Sequence, residues 1–337
     1  MRKNIYHLLL FLMVMTSCSK KEVSKPEIAF YHWKAKADYT KVYDSAINTS
    51  QTNKIYMHYF DIESVREPSW RDDGIYPTYV LKSVDKAYQN LEIVPVVYIT
   101  NSTLKTDGLN VLKLADKITK LIHQISLKHF NKKIKQVQID CDWTMSTKAM
   151  YFRLLDALKK DFDLDVTIRL HQIKFQDKTG VPPVNGGTLM LYNMGDLRNK
   201  EQNSILENAI VKQYINAKST YPLTLKIALP LFSQTVVTNN NKKIKLLRNT
   251  NKATLESDSN FKQINSTNFQ VVSDTLYKGF YLAKGYNLKL EDVQEAEIIS
   301  SYASIKKSQL KTDGIIFYYL DDASLLNHNL KNTIEKL

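Results

Sequence analysis

The sequence contains very little cysteine and little glycine. Among 337 residues there are 2 cysteines, Cys18 and Cys141, and 9 glycines. Two cysteines cannot supply a disulfide framework, and no cluster of cysteine with histidine has the spacing of a zinc site. The low glycine content excludes a collagen-like fibre. Stability must therefore come from a hydrophobic core, and the composition predicts neither a metal nor an organic cofactor.

The sequence also lacks an apolar run long enough to span a membrane. Residues 5–14 form a short apolar segment after Arg2 and Lys3, and Met15-Thr16-Ser17-Cys18 follows. This pattern resembles a bacterial lipoprotein signal, and the whole chain resembles lipoproteins of the Bacteroidota. The resemblance implies a signal peptide over 1–17, lipidation of Cys18 and a tether over 18–27. It also implies attachment to a membrane of the cell envelope, on its periplasmic face or at the cell surface.

The positive charge is not concentrated as a nucleic-acid surface requires. The chain has 47 lysines and arginines against 34 acidic residues, a net charge of +13. The densest lysine cluster, at 239–245, has no interleaved aromatic residues, so we do not expect nucleic acid as a partner. A weak attraction to anionic envelope polymers is the better interpretation.

Eight apolar runs alternate with helix-like stretches along the chain. The runs are 28–33, 54–61, 92–99, 137–144, 165–171, 188–193, 223–230 and 314–320. Helical stripes occur at 111–130, 146–162, 201–217 and 293–305. Strands separated by helices predict parallel pairing with crossovers, and eight of them predict an α/β fold of the (β/α)8, or TIM, barrel type over 28–337.

Two links between the predicted strands depart from this regular pattern. The link over 173–187 contains glycine and proline breakers that leave no room for a full helix. The link between strands seven and eight is far longer than one helix requires. It predicts an insertion at about 234–312, with small strands at 269–272 and 279–282.

Two carboxylates end the fourth predicted strand. Alternate strand residues share a face, so Asp140 and Asp142 point the same way as Gln138 and Thr144. Two neighbouring carboxylates disfavour joint ionisation, which marks the pair as a candidate site. Carboxylates, one arginine, histidines and aromatic residues at the other strand ends are typical of a sugar site.

Four short motifs, in order along the chain, resemble those of the family-18 glycoside hydrolases, the chitinases and endo-N-acetylglucosaminidases. Their Asp-x-Asp-x-Glu corresponds to 140–144, their Met-x-Tyr-Asp/Asn to 190–193, their small-x-Pro-x-aromatic run to 228–232, and their Gly-x-x-x-Trp to 314–318. The resemblance implies a divergent glycoside hydrolase acting on an envelope or environmental glycan that contains N-acetylhexosamine. By this resemblance Asp142 orients the acetamido group of the substrate, helped by Tyr192 and Asn193. The predicted catalytic residues are Asp142, Asp140 and Glu63, three carboxylates at predicted strand ends. The other predicted substrate-binding residues, also at strand ends, are Arg169, His171, Tyr318, Asp321 and Trp33.

One departure from the family pattern keeps three interpretations open. Thr144 stands where the family has its proton-donating glutamate, and threonine cannot protonate a leaving oxygen at neutral pH. The chain either hydrolyses a glycan with another acid, such as Asp142 or Glu63, or binds a glycan without catalysis. In the third interpretation it is a structural lipoprotein.

Each of several candidate residues could instead have a purely structural role. Arg169 could neutralise the two aspartates, Thr144 could cap the next helix, and His171 could be a core histidine. Trp33 and Trp143 could face outward into the core, and Asp321 could cap a helix.

Overall fold

The computed structural model describes residues 26–64, 74–248, 250 and 252–337. The predicted signal peptide, Cys18 and the first part of the predicted tether lie outside these residues. Within the described ranges, no helix is long and apolar enough to cross a membrane.

The described residues form eighteen strands, numbered in chain order. They are β1 Glu27–His32, β2 Lys36–Ala37, β3 Lys54–Ser64, β4 Ile75–Thr78, β5 Ser83–Val84, β6 Glu92–Ile99, β7 Gln136–Asp140, β8 Asp163–Ile168, β9 Gly186–Met190, β10 Thr224–Pro230, β11 Gln234–Thr238, β12 Ile244–Arg248, β13 Phe261–Gln263, β14 Asn268–Val271, β15 Thr275–Tyr277, β16 Phe280–Leu282, β17 Asn287–Glu291 and β18 Thr312–Tyr318.

Ten α-helices are numbered in the same way. They are α1 Lys41–Thr49, α2 Val111–Phe130, α3 Lys148–Leu158, α4 Leu170–Lys174, α5 Gln176–Thr179, α6 Asn208–Tyr214, α7 Lys252–Glu256, α8 Glu295–Lys306, α9 Asp322–Leu326 and α10 Leu330–Lys336. Two short 3-10 helices cover Lys86–Asn90 and Thr103–Lys105.

Eight parallel strands close into a barrel. Their order is β1-β3-β6-β7-β8-β9-β10-β18, and β18 pairs with β1 to complete the circle. The barrel strands correspond to the eight apolar runs of the sequence, and the predicted (β/α)8 fold is confirmed. The strand β4 adds an antiparallel hairpin to β3 outside the circle.

The helices cover the outside of the barrel with their apolar faces. Helix α2 buries a stripe that includes Ile118, Ile122 and Ile125, spaced to lie on one face. Trp143, between β7 and α3, stacks on Tyr151 of α3 with ring centroids 5.2 Å apart. Its indole N–H donates to the Thr179 carbonyl. Trp143 is therefore an outward core residue, as the structural alternative for it predicts.

The barrel interior contains a buried hydrogen-bond network centred on Gln138. Its side-chain oxygen accepts from the Tyr31 hydroxyl at 2.6 Å, and its amide nitrogen donates to Asp165 at 2.8 Å and to Thr188 at 2.9 Å. These four residues belong to β1, β7, β8 and β9, so one side chain links four strands of the barrel. Lys226 of β10 lies 3.7 Å from Asp165 and offsets its charge.

An antiparallel sheet is inserted after β10 and has its own small core. Its strand order is β12-β11-β17-β14-β13, and β15 and β16 form a separate hairpin. The second core includes Val237, Leu255, Phe269 and Leu288. The inserted sheet occupies Gln234–Glu291, whereas α8, also inside the range 234–312, contributes to the main core.

Several predicted element boundaries are wrong, and the sixth predicted strand, for example, ends at Met190 rather than at 193. The fourth predicted strand ends at Asp140 rather than at 144, and the fifth ends at Ile168 rather than at 171. After Ile168 the backbone N–H of Arg169 donates to the Gln172 side chain at 2.8 Å, which begins α4. The predicted helix at 201–217 is reduced to α6, Asn208–Tyr214.

We expect Gln138→Met to destabilise the protein by roughly 2 to 4 kcal/mol, because a side chain of similar size leaves buried polar partners unsatisfied. Denaturant unfolding measures this free energy. The control is Gln136→Met, a half-buried change on the same strand, expected to cost under about 1 kcal/mol. Equal losses in the two variants would contradict a structural role for the network.

Candidate functional site

A cavity of about 390 Å³ lies at the carboxyl ends of β7, β8 and β9. In a barrel of this type, the segments that follow the strands carry the functional residues. Five of the predicted site residues line the cavity, and Thr144 lines it with them. The five are Asp142, Arg169, His171, Tyr192 and Asn193.

Arg169 and Asp142 form a two-point ion pair on the wall of the cavity. The Arg169 Nε lies 2.7 Å from one carboxylate oxygen of Asp142, and Nη2 lies 3.1 Å from the other. Nη1 donates to the Tyr192 carbonyl at 3.2 Å, which fixes the guanidinium between β8 and β9. The Asp142 side chain is 47% exposed, so its charge is paired and still accessible to a ligand.

Asp140 lies deeper in the barrel and has a different environment. It accepts a hydrogen bond from the Thr167 hydroxyl at 2.6 Å and is buried. Burial raises its pKa to about 6; the Thr167 hydrogen bond opposes this rise, and the charge of Asp142 adds to it. Arg169 therefore pairs directly with Asp142, as the structural alternative predicts. The predicted direct contact between Arg169 and Asp140 is wrong.

The histidine and the asparagine at the rim of the cavity are exposed. His171 lies in α4 instead of in a strand, so the alternative of a core histidine is wrong. Partial burial lowers its pKa below the usual value. Asn193 has a left-handed backbone with φ of 53°, which asparagine adopts more readily than most residues.

Thr144 is exposed at the mouth of the cavity, where the family has its acid. Its hydroxyl lies 2.9 Å from the Ser146 hydroxyl, and its backbone N–H donates to the Thr147 side chain. Thr147, rather than Thr144, is the residue that precedes α3. The predicted capping role of Thr144 is wrong, since Thr144 lies three residues before the helix cap.

An aromatic cluster adjoins the cavity and contains the predicted residues Trp33 and Tyr318. Tyr318 stacks on Tyr192 with ring centroids 4.6 Å apart and contacts Trp33 at 5.9 Å. Trp33, the residue after β1, is half-buried and contacts the ring of Tyr31 edge to face. Trp33 therefore lies at the barrel mouth, and the outward alternative for it is wrong. Neither Trp33 nor Tyr318 lines the cavity itself.

Asp321 has the structural role that the sequence left as an alternative. Its carboxylate accepts from the backbone N–H of Ser324 at the start of α9 and forms an ion pair of 2.7 Å with Lys34. The side chain is buried. Both carboxylate oxygens have partners within the protein, and Asp321 does not line the cavity that contains Asp142.

Glu63 lies at the far end of β3, where it pairs with Tyr76 of the β3–β4 hairpin. It is half-buried and does not line the cavity that contains Asp142. Of the three predicted catalytic residues, only Asp142 lines the cavity, whereas Asp140 is buried against Thr167 and Glu63 lies at the end of β3.

A pair that the sequence did not predict lies below Trp33. His58 Nε2 is 2.6 Å from Asp61, and the His58 ring lies 4.8 Å from Trp33. Residues three apart do not share a face of a regular strand, but the register of β3 shifts between His58 and Phe60. Sequence alternation could not have found this pair because the bulge breaks it.

No group of three or more histidine, cysteine or acidic side chains within the described ranges could hold a metal ion. The side chains that line the cavity carry carboxylate, guanidinium, imidazole, hydroxyl, amide and aromatic groups.

Comparison with known proteins gives similarities of fold. No protein-family model matches the chain, and no curated protein matches it. Among solved structures, the spore cortex-lytic enzyme SleL of Bacillus cereus is 12% identical, with 91% of this chain and 74% of that chain covered and a TM-score of 0.47. A chitinase of Rhizomucor miehei is 12% identical, with coverage of 91% and 99% and a TM-score of 0.44. A family-18 chitinase from Cycas revoluta, crystallised with (GlcNAc)4, is 10% identical, with coverage of 91% and 98% and a TM-score of 0.43. These structures are what the chain is similar to, and the (β/α)8 barrel itself follows from the closed order of its eight parallel strands.

The raised pKa of Asp140 predicts a pH dependence of stability. Between its ordinary value of 3.8 and about 6, the folded chain binds more protons at this group than the unfolded chain does. Stability therefore falls as the pH rises through this window.

In Asp140→Asn, where the amide oxygen can still accept from Thr167, we expect this fall to be smaller by on the order of 2 to 3 kcal/mol. Unfolding in denaturant from about pH 4 to about pH 7 measures the difference. Asp163→Asn, an exposed change on β8, is the comparison variant. The same fall in Asp140→Asn as in wild type would contradict the assignment.

Proposed function

We propose that this protein binds a glycan containing N-acetylhexosamine at the cavity of Asp142 and Arg169, without hydrolysing it by the family-18 mechanism. The observation that carries the proposal is the two-point ion pair between Asp142 and Arg169. Thr144 lines the same cavity at the position of the family's acid.

The ion pair argues against Asp142 as a proton donor. A general acid must present a free O–H group to the leaving oxygen, whereas both carboxylate oxygens of Asp142 accept hydrogen bonds from Arg169. Glu63 does not line this cavity, and Asp321 caps α9. The sequence interpretation in which Asp142 or Glu63 supplies the acid is therefore supported less well than the interpretation in which the barrel only binds.

The cavity has the groups that sugar recognition requires. Asp142 accepts hydrogen bonds from hydroxyl or acetamido N–H groups, Arg169 is a donor beside it, and the exposed Asn193 amide supplies both functions. Apolar surface comes from Tyr192 and Met190. A cavity with apolar walls and a few convergent polar groups suits a polyhydroxylated ligand.

Hydrolysis with Asp140 as the acid is the second candidate function. The observation that favours it is the pKa of Asp140, raised to about 6 by burial, which keeps a substantial fraction of the carboxyl protonated in mildly acidic solution. This candidate requires the glycan to reach Asp140 below the Asp142–Arg169 pair.

We expect purified wild-type protein to bind N-acetylglucosamine oligosaccharides in calorimetric titration and to release no new reducing ends. Asp142→Asn removes the charged acceptor and should weaken binding by at least about tenfold. Asp156→Asn, an exposed change on α3, is the matched control and should bind as wild type does.

The outcomes of this experiment separate the two candidates. Mass analysis that detects shorter oligosaccharides with wild type, and not with Asp140→Asn, would replace the binding proposal by hydrolysis. Absence of both binding and products would reject both candidates for this class of glycan.

We also propose that Cys18 is lipidated and that the protein is held at a membrane of the cell envelope, as the motif ending at Cys18 indicates. We expect Cys18→Ala to move the protein from the membrane fraction to the soluble fraction of disrupted cells. Cys141→Ala is the control, since Cys141 is buried behind β7 and should leave the fractionation unchanged. Retention of Cys18→Ala in membranes would contradict the anchor.

A further inference from the structure

A second concavity, of about 420 Å³, lies on the inserted sheet and is called the basic groove here. Residues 197–200, which follow β9, form one wall, and β11 and β17 form the floor. It shares no lining residue with the cavity of Asp142 and Arg169. The groove is therefore a separate surface from the candidate site.

All the charged residues that line the basic groove are positive. They are Arg198, Lys200, Lys242 and Lys289, and no aspartate or glutamate is among the lining residues that the structure describes. The chain as a whole has 34 acidic residues to 47 basic ones, so a lining of one sign departs from the average surface. A cleft lined by one sign of charge concentrates ligands of the opposite sign.

The wall of the basic groove is held in place by a buried ion pair. Lys289 Nζ lies 2.6 Å from Glu291 and donates to the carbonyl oxygens of Asn199 and Gln202, at 2.7 and 2.9 Å. These bonds fix the segment that contains Arg198 and Lys200 against the sheet. The charge of Lys289 is thus compensated internally, and its function is to position the wall.

The other three cations remain available to a ligand. Arg198, Lys200 and Lys242 are exposed, and none of their side chains has an ion pair within the described part of the chain. Their charges have no compensating carboxylate in the groove. An anionic ligand would supply one.

The remaining lining favours a sugar chain over other anions. Four asparagines line the groove; they are Asn239, Asn240, Asn268 and Asn287. The carbonyl of Asn239 and the amino groups of the other three bond within the protein. The Asn239 amino group can donate to hydroxyl groups, and the other three side-chain carbonyls can accept from them. No aromatic residue is among the lining residues, so the groove lacks the stacking surfaces on which single-stranded nucleic acid binds. The combination of amides and cations matches hydroxyl groups together with carboxylates.

We propose that the basic groove binds an acidic polysaccharide, a glycan whose sugars carry carboxylates, as a site distinct from the barrel cavity. The proposal does not depend on the function assigned to the barrel. It gives the lysine- and asparagine-rich segment 239–245 a specific ligand class in place of general attraction to anionic polymers.

The test is the binding of polygalacturonate to the purified protein, with fully methyl-esterified polymer as the matched uncharged ligand. We expect wild type to bind the acidic polymer, and the dissociation constant to rise at least about tenfold in the double variant Arg198→Gln, Lys242→Gln. Binding should also weaken between about 0.05 M and about 0.5 M salt, because the contacting charges are exposed. The control double variant, Lys133→Gln with Lys160→Gln, removes the same net charge from exposed positions outside the groove.

Three results would overturn the proposal. They are no binding of the acidic polymer by wild type, equal binding of the esterified polymer, and an equal loss in the control double variant. Asp142→Asn separates the two sites. Retention of polygalacturonate binding in that variant supports the groove, and its loss would transfer the binding to the barrel cavity. Unfolding temperatures of all variants establish that each one is folded.

Discussion

The closure of the barrel around a polar interior is the constraint on which the rest of the structure depends. Gln138 links the strands β1, β7, β8 and β9 through hydrogen bonds to Tyr31, Asp165 and Thr188. Because a buried polar group costs free energy when it loses its partner, these three hydrogen bonds favour one relative register of those strands. Asp140 follows two residues after Gln138, so the same register sets its depth. The position of the candidate site is thus a consequence of how the interior is filled.

The contrast between the two aspartates follows from their depth. Asp140 ends β7 inside the barrel, where burial raises its pKa, whereas Asp142 lies beyond the strand and meets Arg169 at the start of α4. Two carboxylates two residues apart therefore have different surroundings. The accessible carboxylate, Asp142, is the one that Arg169 holds through both of its oxygens, which is why we propose binding.

The inserted sheet is attached to the barrel by polar contacts, while its apolar residues form a core of their own. The Lys289–Glu291 pair contacts the segment after β9, and Arg248 of β12 donates to the Tyr319 hydroxyl beside the aromatic cluster. Other polar residues of the inserted sheet line the basic groove. The insertion therefore adds a second surface to the molecule without altering the closure of the barrel.

The sequence by itself determined the barrel. Its eight apolar runs are separated by helix-length segments, and a closed parallel sheet covered by helices buries both faces of such strands. It also determined the inward face of Gln138 and Asp140, because strand alternation is a local property. Only the tertiary structure decided which carboxylate Arg169 would meet, since that depends on β8 ending at Ile168. It likewise decided that Asp321 pairs with Lys34 and that His58 reaches Asp61 across a bulge. These contacts depend on chain ends, bulges and distances between strands, which the residue pattern within one strand does not contain.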